Sequence, residues 1–414
     1  MRVFGNPTAL NSISLRSATS MLFYRSQLEL LRHSIMCGLF AFLSSLFCQF
    51  SPADAERTLH DTLLCTMLLT IVPIPGCDFE QKPPGDKSFA DLLKYVGPAV
   101  EDARYFVWGA SAIQDAEGKT HLFVARWPRK SGFDGWHTTS EIARYVGDDP
   151  KGPFQFEEVV LTDSKVEGQW DSLAPHNPHV QKVGNRYALF FTANEGREGF
   201  PANQHIGLAV ADSLTGNFER VGNTGRILSP STEPSDWSHN SPVGVNNPSL
   251  LHKRRGQFYL YYKARQASSK APARQIGLAV ADRLTGPYDH QPEPVTANKR
   301  MIEDGYVFLR HGKIRLLTTD TDGQFTTGGG IMWTSEEGRY FTQAEPGYYP
   351  LQRYLPERTL PESAIDNANR TPGTLERPQI LQIDGKPRYL YLASGTNLDG
   401  DSVSVNYVFR VDAE

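Results

Sequence analysis

The sequence predicts an all-β fold, a five-bladed β-propeller built as a single domain, and three observations carry that expectation. A long segment recurs at a fixed offset: Asn177 opens NPHVQKVGNRYALFFTAN and Asn247 opens NPSLL, while Ile206 and Ile276 stand in HIGLAVADSLTGNF and QIGLAVADRLTGPY, so both anchors are displaced by 70 residues. Each copy also has the same internal order, a short strand, a polar turn (VGNR, RRGQ, RHGK, IDGK), an aromatic-rich strand, a loop and a third strand. Alternating β-branched and aromatic residues broken by Gly/Asn/Asp turns are strand and hairpin signals. Weaker copies on either side bring the total to five between Phe106 and Val411, at roughly 60 residues per unit. Radial repetition of four-stranded units makes a propeller.

Taken in order, blade one is carried by HLFVARW (His121 to Trp127) and EIARYVGDDPKGPF (Glu141 to Phe154). Blades two and three are the two anchor copies. Blade four reads EDGYVFLRHGKIRLLTTD and then IMWTSEEGRYF; blade five reads ERPQILQIDGKPRYLYLASG and then SVSVNYVFRV. The intervening loop, Pro346 to Thr374, has no strand pattern and many turn formers. A loop of that length in a compact fold is usually functional or disordered, and this one is expected to cover one face.

The propeller is assigned to 104–414, preceded by a Pro/Gly/Lys-bearing linker at 78–103 that includes the amphipathic FADLLKYV. Residues 1–77 differ in kind. They hold all four cysteines (Cys37, Cys48, Cys65, Cys77) and two apolar runs, Met36 to Phe47 and Leu63 to Ile74. Neither run reaches the ~20 residues of a membrane span, so no integral membrane domain is expected. Both suit an export signal, with Arg25 and Arg32 as the basic flank and Ala53-Asp54-Ala55 as a small-residue cleavage site. Ile74-Pro75-Gly76-Cys77 is similar to a lipid-attachment box. The protein is therefore expected outside the cytoplasm, periplasmic or extracellular. The propeller, having no cysteine, cannot be held by disulfides.

A formal net charge of −4 gives no case for nucleic acid or an anionic membrane as partner. No GxxxxGK[ST] loop or HExxH helix is present, which removes phosphate-loop and zinc-helix chemistry. The remaining chemistry concentrates where the blades converge. Aligned on the hydrophobic residue after NP, the five first strands place Ala110, Asn177, Asn247, Asp304 and Arg377 at one level, preceded by Gly109, His176, Asn246, Glu303 and Glu376. Polar side chains converging in a concave, partly desolvated place form a candidate site.

The signature of NP-hydrophobic, aromatic strand and IGLAVADSLTG resembles the five-bladed propeller glycosidases, glycoside hydrolase family 43 and its relatives, over Tyr105 to Val411. WGASAIQDAEGKTHLFVARWP, WHTTSEIARYV and WDSLAPHNPHV are similar to an exported branch of that family whose function is poorly defined. The resemblance implies inverting hydrolysis by three carboxylates: an Asp base in blade one, an Asp in blade three that tunes proton affinity, and a Glu acid in blade four. The acid position falls on Glu303. The base position falls on Ala110 and the tuning position on Asn247, neither of which is charged. Replacement carboxylates are Glu141, at the head of a blade-one strand, and Asp171, in the loop before blade two; Asp304 and Glu376 already stand in the ring. Neighbouring negative charge at Asp304 and Glu376 is expected to favour the protonated form of Glu303, with Arg377 opposing.

His176, Asn177, Asn247, Asp304, Glu376 and Arg377 are expected to bind substrate, with Trp108 and Trp170 as stacking faces and Trp136 and Trp237 on nearby loops. No metal ligand set is assigned and no cofactor is required; a structural calcium in the channel, seen in some relatives, is left unassigned. The expected function is a glycoside hydrolase acting on plant or algal-type poly- or oligosaccharides. The alternative, motivated by the missing base, is a catalytically inactive carbohydrate-binding propeller.

Overall fold

The computed structural model describes residues 80–81, 87–196, 203–253, 256–267, 274–360, 373–399 and 404–412. The export signal and lipid box expected at 1–77, and residues 361–372 of the loop expected to cover one face, lie outside the described residues; the start of that loop is instead the end of a strand (to Tyr348) and a short helix, Leu351–Tyr354. The described chain is nearly all β, in five antiparallel sheets.

A two-residue strand β1 (Glu80–Gln81) and β2 (Leu93–Val100) precede the repeats. Blade one is β3 (Tyr105–Gln114), β4 (Thr120–Pro128), β5 (Glu141–Gly147) and β6 (Gln155–Leu161). Blade two is β7 (Leu173–Val183), β8 (Arg186–Asn194), β9 (His205–Ala211) and β10 (Glu219–Arg220), with β11 (Arg226–Leu228) also on β9. Blade three is β12 (Val245–His252), β13 (Phe258–Arg265), β14 (Arg274–Ala281) and β15 (Asp289–His290). Blade four is β16 (Glu303–Arg310), β17 (Lys313–Thr319), β18 (Gly330–Ser335) and β19 (Gln343–Tyr348), extended by β1 in parallel. Blade five has only three strands of its own, β20 (Glu376–Ile383), β21 (Lys386–Ser394) and β22 (Val405–Val411).

Its fourth strand is β2, which runs antiparallel to β22 from Leu93 opposite Val411 to Val100 opposite Asn406. This corrects the linker reading of 78–103. Gly97 and Pro98 interrupt the strand pattern of LKYVGPAV, and two register irregularities, at Tyr95/Gly97 and Pro98/Val100, absorb them in the sheet. The ring is thus closed by pairing an early strand with the last one.

The inner strands β3, β7, β12, β16 and β20 each touch the next, β20 returning to β3. Five buried apolar clusters fill the five seams, for example Phe190, Leu208, Leu260 and Tyr262 between blades two and three. The repeated Gly of IGLAVAD has a packing role: a Cβ on Gly207 would lie 2.4 Å from Phe191 and 2.5 Å from Trp170, so an aromatic ring crosses the third strand only where no side chain stands. The inner strands are also tied blade to blade by hydrogen bonds, Val180 N to Ser111 Oγ (3.0 Å), Leu250 N to His179 Nε2 (3.2 Å), Val307 N to Ser249 Oγ (2.9 Å) and Tyr306 OH to the Ile380 carbonyl (2.8 Å).

Candidate active site

Every inner strand breaks register at the same level: between Trp108 and Ser111, His176 and His179, Asn246 and Ser249, Glu303 and Tyr306, and Glu376 and Gln379. Each break is a bulge whose first residue adopts left-handed backbone: Gly109 (φ +65°), Asn177 (+50°), Asn247 (+55°), Asp304 (+59°) and Arg377 (+55°). Asn, Asp and Gly enter that region most readily, which explains the Asn of the recurring NP. The bulges also correct the sequence alignment by one residue in blade one: Gly109, not Ala110, is the counterpart of Asn177, and Trp108 is the counterpart of His176, Asn246, Glu303 and Glu376.

The five left-handed residues close on one another. Arg377 Nη2 donates to the Asn177 carbonyl at 3.0 Å, Asn177 Nδ2 donates to Asn247 Oδ1 at 2.6 Å, and Asn247 Nδ2 donates to Asp304 Oδ1. Asp304 Oδ2 accepts from Thr319 Oγ1 (3.1 Å) and from the Arg377 backbone N–H (3.3 Å). Arg377 reaches blade two by lying across Gly109, whose absent Cβ would stand 2.8 Å from Arg377 Cγ. The guanidinium is 0% exposed, and burial draws its pKa down to about 10 against the pull of Asp304.

Above this ring opens a cavity of about 160 Å³. Blade one supplies an aromatic wall of Trp108, Trp127, Phe133 and Trp136. Phe133 packs edge-on against Trp108 (5.5 Å) and Trp127 (5.6 Å). The lining is completed by Glu303, Glu376, His176 and Lys263, with Asn177, Asn247 and Asp304 of the ring as floor. His176 Nδ1 donates to the Ala174 carbonyl at 2.7 Å, which fixes the tautomer, since a carbonyl only accepts. Its Nε2 is therefore an acceptor; it is buried, without a protein partner, on a ring that lines the cavity 4.9 Å from that of Trp136. Burial, assisted by the charges of Arg377, Lys263 and His137 and opposed by the Ala174 bond, lowers the His176 pKa to about 4. The imidazole is neutral at neutral pH.

The expected environment of Glu303 is reversed. Its Oε2 receives Lys263 Nζ at 2.6 Å, and its Oε1 receives Arg274 Nη1. Two cations on one carboxylate favour the ionised form. Both partners come from blade three, Lys263 facing Asn246 across β12–β13 and Arg274 heading β14. Sequence reasoning passed over them. The available signal was Lys263 itself, a lone charge in FYLYYKA, at the end of β13 where the sheet meets the site.

Several expected site residues lie elsewhere. Glu141 is held by Arg126 through Nε and Nη2, each 2.8 Å from Oε1, and does not line the cavity. Asp171 is 0% exposed and pairs with Arg220 Nε at 2.6 Å, pinning the preceding loop to the outer strand of blade two. Trp170 stacks on Phe191 and donates to the Thr224 carbonyl at 2.9 Å in the seam between blades one and two. Trp237 is buried in the seam of blades two and three, stacked against Tyr262. Arg377 lies below the cavity, in its floor ring. A channel calcium does not fit these residues: at this level the Arg377 guanidinium holds the Asn177 carbonyl, and the Asn and Asp side chains are engaged with each other. Among the described residues no group of three or more His, Cys, Asp or Glu is placed to share a metal, and no helix is long and apolar enough to cross a membrane.

No family model matches the chain. An extracellular endo-α-(1→5)-L-arabinanase of Thermotoga petrophila is 25% identical over 154 residues, which is 35% of this chain and 29% of that enzyme, so the match spans under a third of the relative's length. Three solved structures share the fold. A family 117 glycoside hydrolase of the marine bacterium Zobellia galactanivorans superposes with a TM-score of 0.55 at 16% identity, covering 77% of this chain and 90% of that one. A GH43 enzyme of Xanthomonas citri gives 0.52 at 16%, covering 76% and 90%. A GH43 β-xylosidase/α-arabinofuranosidase from a compost metagenome, solved with xylotriose in calcium-free form, gives 0.50 at 16%, covering 76% and 93%. The chain has the five-bladed fold of the propeller glycosidases, as the sequence resemblance implied.

Proposed function

We propose that the protein is a glycoside hydrolase acting on plant or algal-type poly- or oligosaccharides, with Glu303 and Glu376 as its carboxylate pair. One observation carries the reading: a single cavity is lined both by indole and phenyl rings and by two carboxylates. Sugar rings present apolar C–H faces that stack on aromatics, and glycosidic cleavage needs one carboxyl to protonate the leaving oxygen and one to activate water or attack. Glu303 keeps the acid role implied by the family resemblance. Glu376 takes the base role in place of Glu141 and Asp171, which do not line the cavity. Asp304 is nearly buried with both oxygens hydrogen-bonded, and acts by holding the floor. His176 Nε2 accepts a hydrogen bond from a sugar hydroxyl or from the attacking water. No part in the reaction is assigned to a metal, the Asn and Asp side chains of the floor ring being engaged with each other. The arabinanase relative is extracellular, in keeping with export of this chain.

The test is hydrolysis and binding on one panel of arabinan, xylan and algal polysaccharides with the full chain. Release of reducing ends by the parent protein, cut at least about a hundredfold by Glu303→Gln and by Glu376→Gln with binding retained, is the expected result. The ion pairs on Glu303 favour a second reading, a carbohydrate-binding propeller that has lost hydrolysis. Binding by the parent without turnover on any member of the panel establishes that reading instead.

A further inference from the structure

A general acid must hold a proton, yet Glu303 rests between two cations. The contact that creates this difficulty also offers its solution. Resting on the hydrolase reading above, we infer that Lys263 is the proton reserve of the site: it hands a proton to Glu303 as Glu303 gives one to the leaving group.

The geometry supports a direct hand-over. Lys263 Nζ lies 2.6 Å from Glu303 Oε2, a short charge-assisted hydrogen bond, and both side chains line the same cavity. Arg274 makes the equivalent contact to the other oxygen but cannot release a proton. Its part is to hold Glu303 in place while the Lys263 proton moves. The charged and titratable groups acting on Lys263 come from three other blades and its own: Glu303 and Asp304 from blade four, Glu376 and Arg377 from blade five, His176 from blade two, and Arg274 from β14. Burial is the largest influence on the ammonium, Arg274 and Arg377 add to it, and Asp304 and Glu376 oppose; the result is a pKa of about 7. A lysine so placed is charged below neutrality and can still give up its proton, unlike one in water at about 10.4.

The step balances. The proton passes from Nζ to Oε2 and from Glu303 to the glycosidic oxygen, while the C1–O bond breaks with its electron pair going to that oxygen. Glu376 takes a proton from the water whose oxygen bonds to C1. Solvent later reprotonates the Lys263 amine and removes the Glu376 proton, so the net change is addition of one water across the bond.

Two variants separate a proton reserve from a merely electrostatic partner. Lys263→Met removes charge and proton; Lys263→Arg keeps a cation but has no proton to give at these pH values. Both are expected to lose at least about a hundredfold on an unactivated glycan and much less on a nitrophenyl glycoside, whose leaving group needs no proton. If Lys263→Arg restores glycan turnover to within about threefold of the parent, with its alkaline limb unchanged, the relay is wrong. A second measurement needs no turnover: competitive acylation of the full chain at pH 6 to 10, read by peptide mass spectrometry. The Lys263 amine should gain reactivity near pH 7, and an inflection near 10 overturns the proposal. Failure of the hydrolase reading looks different, because the parent protein then cleaves no glycan at all before any variant is made.

Discussion

Gly109→Ala tests whether the floor ring holds the fold together. Gly109 sits at φ +65°, where an alanine costs roughly 1–2 kcal/mol for its backbone alone. The new Cβ would also lie 2.8 Å from Cγ, 3.3 Å from Nε and 3.5 Å from Cδ of Arg377, all inside or at the edge of contact distance. Arg377 cannot swing away freely, since its side chain is buried and its Nη2 holds the Asn177 carbonyl. Losing that charge-assisted bond while the guanidinium stays buried costs about 1.5–3 kcal/mol more. The expected loss is therefore about 2.5–5 kcal/mol in urea unfolding followed by tryptophan fluorescence. Gly118→Ala is the control. Gly118 also has positive φ (+85°), but nothing lies within 4 Å of its Cβ position, so only the backbone cost of about 1–2 kcal/mol should appear. The excess at Gly109 should vanish in an Arg377→Ala background, because the two changes then share one cause. Equal losses at Gly109 and Gly118 would refute the ring as a source of stability.

Three further outcomes are expected. A chain beginning at Arg104 lacks the strand Leu93–Val100, leaves β22 unpaired on its outer side, and should lose the cooperative unfolding seen for the full chain. Chelation with EDTA should leave the melting temperature and any glycan turnover unchanged; a fall of several degrees reversed by calcium would show that the axis holds an ion after all. Acid should destabilise the fold through His176 and His205, each lowered to about 4, and His179, lowered to about 3, chiefly by burial. Below about pH 6.5 the unfolded chain takes up protons that the folded one refuses, so stability present above 6.5 is lost as pH falls towards 4. For His176 alone the loss is on the order of 3 kcal/mol. His176→Asn should flatten the dependence of the urea midpoint between pH 7 and 4, and an unchanged slope would show that His176 is not buried neutral.

The blades were legible because they repeat: the offset shared by Asn177/Asn247 and Ile206/Ile276 makes one unit visible, and weaker copies follow from it. The closing strand was not, since pairing between Leu93–Val100 and Val405–Val411 leaves no local trace and Gly97-Pro98 imitates a linker. Within the site, Glu303, Glu376 and His176 were reachable because a shared bulge brings one position of each inner strand to the cavity, whereas Trp108 was reached as a stacking face, the alignment having put Gly109 at its position. Asp171 and Trp170 misled for a common reason. A loop before a blade reads as a rim from sequence, yet this one turns inward, putting Trp170 against Phe191 and Asp171 against Arg220. Lys263 and Arg274 belong to second and third strands, outside the inner-strand alignment, and reach Glu303 across a seam that no single blade encodes.

The bulge divides labour between adjacent residues. Its left-handed residue points along the ring and is selected for backbone tolerance and mutual hydrogen bonding, giving Gly, Asn, Asn, Asp and one Arg. The residue before it is free to face the cavity, and there the blades diverge into Trp108, His176, Glu303 and Glu376. Blade one has an indole where blades four and five have carboxylates, so no base is available from it. Its loop adds Phe133 and Trp136 beside Trp108, extending the aromatic face. Glu303 and Glu376, from the consecutive blades four and five, line the same cavity as that face. Under the hydrolase reading proposed above, blade one serves binding in place of the missing base, and Glu303 and Glu376 come from blade four and from blade five, the latter adjoining blade one.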